Sequence, residues 1–166
     1  MDSSAILAEI PRLRRYARAL LGDRAAADDL VQDTLERAWS RLHQWRAGSD
    51  MRAWLFGIMH NLRVDLLRRP RLSTQSIDTD DFELPTRPTQ ADALELRDIE
   101  SALGQLADEQ REVMLLVALE EMSYADVATT LGIPVGTVMS RLSRGRERLR
   151  LIMAGQTAST KLRVVR

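Results

Sequence analysis

The stretch that decides the fold is Ser123-Tyr124-Ala125-Asp126-Val127-Ala128-Thr129-Thr130-Leu131-Gly132-Ile133-Pro134-Val135-Gly136-Thr137-Val138, continuing through Ser140-Arg141-Leu142 to Arg150. Ser123 is a favoured helix N-cap, and Asp126 three residues later makes a variant of the capping box. The short helix it opens ends at Gly132, which tolerates a left-handed turn. Pro134 suits the first turn of a second helix. Short helix, turn and second helix is the helix-turn-helix layout. Ala128 is small enough for a close helix crossing, Val138 is the inward position of the second helix, and Leu131, Ile133 and Leu142 complete a small core. Between Thr137 and Arg150 stand five Arg and one Glu. Thr137, Ser140, Arg141 and Arg144 fall mostly on the outer face, toward the end of the helix that meets base edges. Arg146, Arg148 and Arg150 lie farther along and suit phosphates. The competing reading is an ordinary surface helix with an arginine face. The Ala–Gly–Val spacing and the adjacent short helix favour DNA.

Working outward, the chain has 166 residues, enough for one domain or two small ones. It is 45% hydrophobic and 29% charged, the composition of a folded globular protein. Basic and acidic residues balance at 24 each, so only their distribution is informative. Of the 24 basic residues all but Lys161 are Arg, which can bind phosphate and guanine bidentately; GC-rich coding produces the same bias. The absence of cysteine excludes a disulfide scaffold, a thiolate metal site and a cysteine nucleophile. The start, MDSSAILAEI, lacks a basic segment followed by an apolar run, so no signal peptide is expected. Apolar runs such as Met114–Leu119 are too short to span a bilayer, so no direct membrane insertion is expected and the expected compartment is the cytoplasm.

The remaining periodicity is helical throughout. Residues 5–22 place Ile6, Ile10, Leu13, Ala17, Leu20 and Leu21 at helical spacing. Residues 25–43 carry a stripe of Leu30, Val31, Leu35, Ala38, Trp39 and Leu42, with Asp28, Asp29, Asp33 and Glu36 largely off it. A loop with Gly48 follows, with Ser49 or Asp50 as a cap. Helix 51–69 carries Met51, Leu55, Ile58, Met59, Leu62 and Leu66, and Pro70 stops it. Residues 71–91 are acidic, aperiodic and rich in breakers, which predicts a linker. Helical pattern resumes at 91–106 with Leu94, Ile99, Leu103 and Leu106; Asp108 is the expected cap of the next helix. The last helix is expected to run to about residue 153. The predicted fold class is all-α: two small helical domains, 1–70 and 95–153, joined by a flexible acidic linker at 71–94, with a tail at 154–166.

Two further stretches resemble a known family. Asp28-Asp29-Leu30-Val31-Gln32-Asp33-Thr34-Leu35-Glu36-Arg37-Ala38-Trp39 resembles the core-polymerase-binding helix of bacterial sigma factors. Arg52-Ala53-Trp54-Leu55-Phe56, His60-Asn61-Leu62 and Asp65-Leu66-Leu67-Arg68-Arg69 resemble the adjacent promoter-melting helix, and the helix-turn-helix resembles the C-terminal promoter-reading domain. Size and plan are similar to the extracytoplasmic-function (ECF) group of sigma-70-like factors. The resemblance covers about residues 10–70 and 95–152.

That resemblance implies a transcription initiation factor with no cofactor and no metal. Its N-terminal domain would meet the β′ clamp helices of core RNA polymerase through Asp29, Gln32, Asp33 and Trp39. The loop from Trp45 to Ala53, with Arg46, Gly48, Ser49 and Arg52, would capture a flipped minus-ten base, joined by Asn61 and by Arg68 and Arg69. Trp45 suits either base stacking or the core, and Trp54 suits the core. The second domain would lean on the β flap and read the minus-thirty-five element through Thr137, Ser140, Arg141, Arg144, Arg146 and Arg148. Here the chain departs from the family pattern: Met139 stands where a basic residue is common, and Gly145 where Ala is. The linker would thread toward the RNA exit path or serve as a solvated tether; some 20 residues reach at most about 65–70 Å. An anti-sigma factor is the implied regulator. Three other classes were weighed: a helix-turn-helix regulator with an effector domain, a sigma mimic, and an enzyme. The two N-terminal motifs weigh against the first and the retained arginines against the second. His43 and His60 form no metal-ligand pattern, and no phosphate loop or nucleophile elbow is present, which weighs against the third.

Overall fold

In a computed structural model, the structure describes residues 3–69 and 90–163, with side chains for 3–69 and 95–155. The elements are α1 (Ser3–Leu21), α2 (Arg24–Ser40), a 3-10 turn (Leu42–Gln44), α3 (Met51–Arg68), α4 (Gln90–Gly104), α5 (Asp108–Ala118), α6 (Tyr124–Leu131) and α7 (Val135–Arg163). The all-α class is as expected, with no strand among the described residues. Most of the expected linker, residues 71–89, lies outside them, as does Pro70; residues 90–94 are already helical.

Local signals fix the helix ends. Gly22 at φ +70° closes α1, its N–H donating to the Arg18 carbonyl at 2.9 Å. Asp23 caps α2 by accepting from the Ala25 N–H at 3.0 Å. Asp50, one of the two expected caps, opens α3, accepting from Arg52 at 3.0 Å and Ala53 at 3.4 Å. Ser123 opens α6, and Gly132 at φ +67° closes it. Asp108 behaves differently. Ala107 takes the cap position of α5, and the Asp108 carboxylate pairs with Arg63 at 3.0 Å and Arg111 at 3.2 Å instead. Two guanidinium partners outcompete one backbone N–H, because charge-assisted hydrogen bonds are roughly twice as strong. The last helix runs ten residues past its expected end, through Arg163. Gly155 costs about 1 kcal/mol there, too little to stop a helix that meets no further proline.

The three N-terminal helices bury Ile6, Leu13, Tyr16 and Leu20 from α1, Leu30, Val31 and Ala38 from α2, and Leu55, Phe56, Ile58 and Met59 from α3. Tyr16 and Phe56 meet edge to face, ring centroids 4.8 Å apart. Each fully buried side chain of this size contributes about 1.5–3 kcal/mol. The expected stripes shed their ends: Trp39 and Leu66 are exposed, and so is Ile99 of α4. In the C-terminal half, Val113, Leu116 and Val127 join Ala128, Leu131, Val138 and Leu142 of the core expected of the helix-turn-helix, with Ile133 partly buried against it.

The two halves are docked. Helices α1 and α3 pack against α5 and α6, and the buried apolar cluster runs without a break from one half to the other. The seam is charged. Glu120, buried at the end of α5, pairs with Arg15 at 3.3 Å, while its backbone carbonyl accepts from Arg52 at 2.8 Å. Buried Glu112 meets His60 and Arg63 of α3. Arg111 reaches across to the Leu20 carbonyl that ends α1, at 2.8 Å, and also binds the Leu103 and Leu106 carbonyls at 2.7 and 2.9 Å. The residues that join the halves are thus mostly arginines feeding orphan helix-end carbonyls and buried acids.

Candidate polymerase and nucleic-acid interfaces

The outer face of α2 gathers Asp29, Gln32, Asp33 and Trp39, all exposed, Trp39 by 43%. Their spacings of three, four and seven residues put them on one side of the helix. Beside them, a groove between α2 and α3 is lined by Asp33, Glu36, Arg37, Ser40, Leu62, Asp65, Leu66 and Arg69. Leu62 packs on the core, whereas Leu66, the last position of the apolar stripe of α3, is exposed. The groove sets three acids and two arginines around exposed Leu66, which suits a helix carrying apolar residues flanked by charge.

The loop from Trp45 to Asp50 is a tight turn. Ser49 donates to the Arg46 carbonyl from both its backbone N–H (3.1 Å) and its hydroxyl (2.6 Å), and Gly48 sits at φ +91°. Arg46, Gly48 and Ser49 are exposed. Trp45 is half-buried against the core, its indole N–H enclosed without a partner; Trp54 also packs on the core. Asn61, Arg68 and Arg69 are exposed on α3. Arg52 is not with them. It lies nine residues before Asn61, about two and a half turns, and so on the opposite side of α3. There its guanidinium is committed to the Glu120 carbonyl. The structure therefore brings Asn61 and Arg68 to one face and turns Arg52 toward the C-terminal half.

The helix-turn-helix has its expected geometry. The Pro134 carbonyl accepts from Thr137 at 3.0 Å and Val138 at 3.2 Å as α7 begins, and Val138 and Leu142 face inward. Of the expected readers, Arg144, Arg146 and Arg148 are exposed and free of any ion pair given among the described residues. Thr137 is half-buried. The Ser140 hydroxyl donates to the Thr137 carbonyl at 3.2 Å. Arg141 is half-buried and paired with Glu109 at 3.5 Å. Arg150 is held by Glu147 at 2.7 Å, and that hydrogen bond pushes the Glu147 carboxyl below its usual range. Gly145 has a packing reason: a Cβ there would lie 2.8 Å from Met114 Sδ and 3.3 Å from Gln110 Cβ, so an Ala would require Met114 to shift.

Among the described residues no helix is long and apolar enough to cross a membrane. Residues 6–60 match the family model for the Sigma2 domain of PhyR, and residues 88–149 match Sigma-70, region 4. The chain is 39% identical over 149 residues to the ECF RNA polymerase sigma factor EcfG of Rhodopseudomonas palustris (strain TIE-1), an alignment covering 89% of this chain and 82% of that one. It is 40% identical over 147 residues to the ECF RNA polymerase sigma factor SigL of Mycobacterium tuberculosis (strain ATCC 25618 / H37Rv), covering 85% and 82%. Among solved structures, the sigma factor RpoE in complex with the anti-sigma factor NepR from Bartonella quintana superposes with a TM-score of 0.74 at 36% identity, over 90% of this chain and 94% of that one. CnrH in complex with the cytosolic domain of CnrY gives 0.67 at 31% identity, over 90% and 85%. Two sigma-domain matches in the expected order, on the helices whose motifs carried the resemblance, lead to one conclusion: the chain belongs to the ECF RNA polymerase sigma factors.

Proposed function

We propose that this chain binds core RNA polymerase in the cytoplasm and directs promoter-specific initiation without catalysing a reaction of its own. The observation that carries this reading is the pairing, in one chain, of the exposed acids of α2, beside a charged groove on α2 and α3, with a helix-turn-helix whose second helix exposes Arg144, Arg146 and Arg148. On core enzyme, Asp29, Gln32, Asp33 and Trp39 meet the β′ clamp helices, and the C-terminal half rests on the β flap. Arg46, Gly48, Ser49 and Asn61 then face melted minus-ten DNA, with Arg68 and Arg69 on its phosphates. The two halves each bind DNA weakly; held at the spacing of the two promoter elements they act as one site through effective concentration. Docked as they are here, they leave Arg52 on Glu120, so engagement of both elements requires that the halves part.

An anti-sigma factor is the proposed regulator. The likeness to two sigma factors solved with anti-sigma factors supports it. Exposed Trp39 and Leu66, on and beside the charged groove, give such a protein an apolar surface to cover. The test is co-elution with purified core polymerase. Wild type is expected to co-elute, and Asp33→Arg with Trp39→Ala to lose retention while keeping its helical signal. Equal retention of the double variant would move the contact elsewhere.

A further inference from the structure

We propose that Met139, backed by Val135, determines specificity in the minus-thirty-five contact by packing on thymine C5-methyl groups. This deepens the proposed function and rests on it. The polar side chains at the start of α7 are largely occupied. Thr137 is half-buried, the Ser140 hydroxyl proton goes to the Thr137 carbonyl at 3.2 Å, and Arg141 is drawn to Glu109 at 3.5 Å. Beside exposed Ser140, the large side chains that the first two turns present to solvent are apolar: Val135 is 43% exposed and Met139 52%. Four residues apart, they share one face. That face continues into the shallow groove lined by Tyr124, Met139, Leu142, Ser143, Arg146, Glu147 and Arg150, where Glu147 is held by Arg150 and exposed Arg146 lies about two turns on from Met139.

An apolar spot followed by exposed guanidiniums matches a duplex surface. The phosphates answer the arginines, and the one apolar group on the floor of the major groove is the thymine methyl. Methionine is unbranched and polarizable, so it can follow a methyl without a fixed rotamer. Cytosine offers no methyl there and presents an amino donor that a thioether accepts only weakly. The discrimination is therefore for thymine, on either strand, at the step beneath Met139.

The test uses holoenzyme reconstituted from core polymerase and this chain, on promoter fragments from its own upstream region, at fixed salt. Each thymine of the minus-thirty-five element, on both strands, is replaced singly by deoxyuridine, which removes only the methyl. At one position the wild type is expected to lose about three- to fivefold in affinity, the scale of one buried methyl. Met139→Ala is expected to bind the unmodified site weaker by a similar factor and to be indifferent to the deoxyuridine. Equal wild-type affinity at every deoxyuridine position overturns the proposal, as does full thymine sensitivity in Met139→Ala. If Met139→Ala binds DNA normally but loses an anti-sigma factor, the patch is a protein-docking surface and the proposal falls. Absence of any start-specific transcript from the unmodified fragment removes the proposed function itself, a failure distinct from the other three.

Discussion

Glu112 of α5 lies against His60 of α3, its Oε1 2.5 Å from His60 Nδ1, and turns its other oxygen toward Arg63 Nη1 at 3.7 Å. Glu112 and Arg63 are both almost wholly buried, and Arg63 keeps a second acid, Asp108, at 3.0 Å. This ionic group joins the two halves where apolar contact alone would leave them free to slide. Removing one member of a buried pair strands the other. Glu112→Ala is expected to cost about 3 kcal/mol, the low end for a broken buried ion pair, because Arg63 retains Asp108. Urea unfolding measures the loss, and small-angle scattering of the variant should show a larger radius as the halves part. An unchanged midpoint and radius would mean that the group contributes nothing to docking.

Gly145 invites a stabilising substitution that meets close neighbours on α5. In a helix interior Ala is better than Gly by about 1 kcal/mol. At this position the new Cβ would meet Met114 Sδ at 2.8 Å and Gln110 Cβ at 3.3 Å. Overpacking costs about 1–3 kcal/mol, so Gly145→Ala is expected to lower stability by about 1 kcal/mol net. Adding Met114→Ala should remove the clash at the cost of a cavity, so the two changes should not add. A rise in thermal midpoint for the single variant would show that Met114 swings aside freely.

Tyr16 gives an alkaline signature. Burial above all, and then the Glu112 carboxylate, push its phenol well above the ordinary value; Arg63 pulls the other way, and Glu120 adds a smaller push upward. In the unfolded chain the phenol titrates at about 10. Below that, both states hold the proton and pH has no effect through this group. Above it, the unfolded chain releases a proton that the folded one keeps, so stability falls as pH rises toward the folded value. The expected slope is up to about 1.4 kcal/mol per pH unit in that window. Tyr16→Phe should flatten it, read as urea midpoints on either side of about pH 10.

The helix-turn-helix was legible because each of its requirements is local: a cap at Ser123, a left-handed turn at Gly132, an inward Val138. The acids of α2 were legible by motif. The docking of the halves was not. Arg15, Arg52, His60, Arg63 and Glu112 look, along the chain, like ordinary polar positions on amphipathic helices; their pairings span 45 to 105 residues and depend on how the halves meet. Arg52 shows the cost of reading by motif alone, since its family match placed it with the promoter loop while its side chain reaches Glu120. Met139 was noticed only as a departure from a basic residue. Its exposure beside Val135, with Arg141 turned away to Glu109, gives the departure a chemical meaning.

The most direct test of the account is run-off transcription with purified core RNA polymerase on promoter fragments from the protein's own upstream region, with and without this chain. The account predicts a start-specific transcript that requires the chain and weakens in Asn61→Ala and Arg144→Ala, the latter by about 1–3 kcal/mol if Arg144 is bidentate to a guanine. Failure of the chain to bind core polymerase or to direct any start-specific transcript would contradict it.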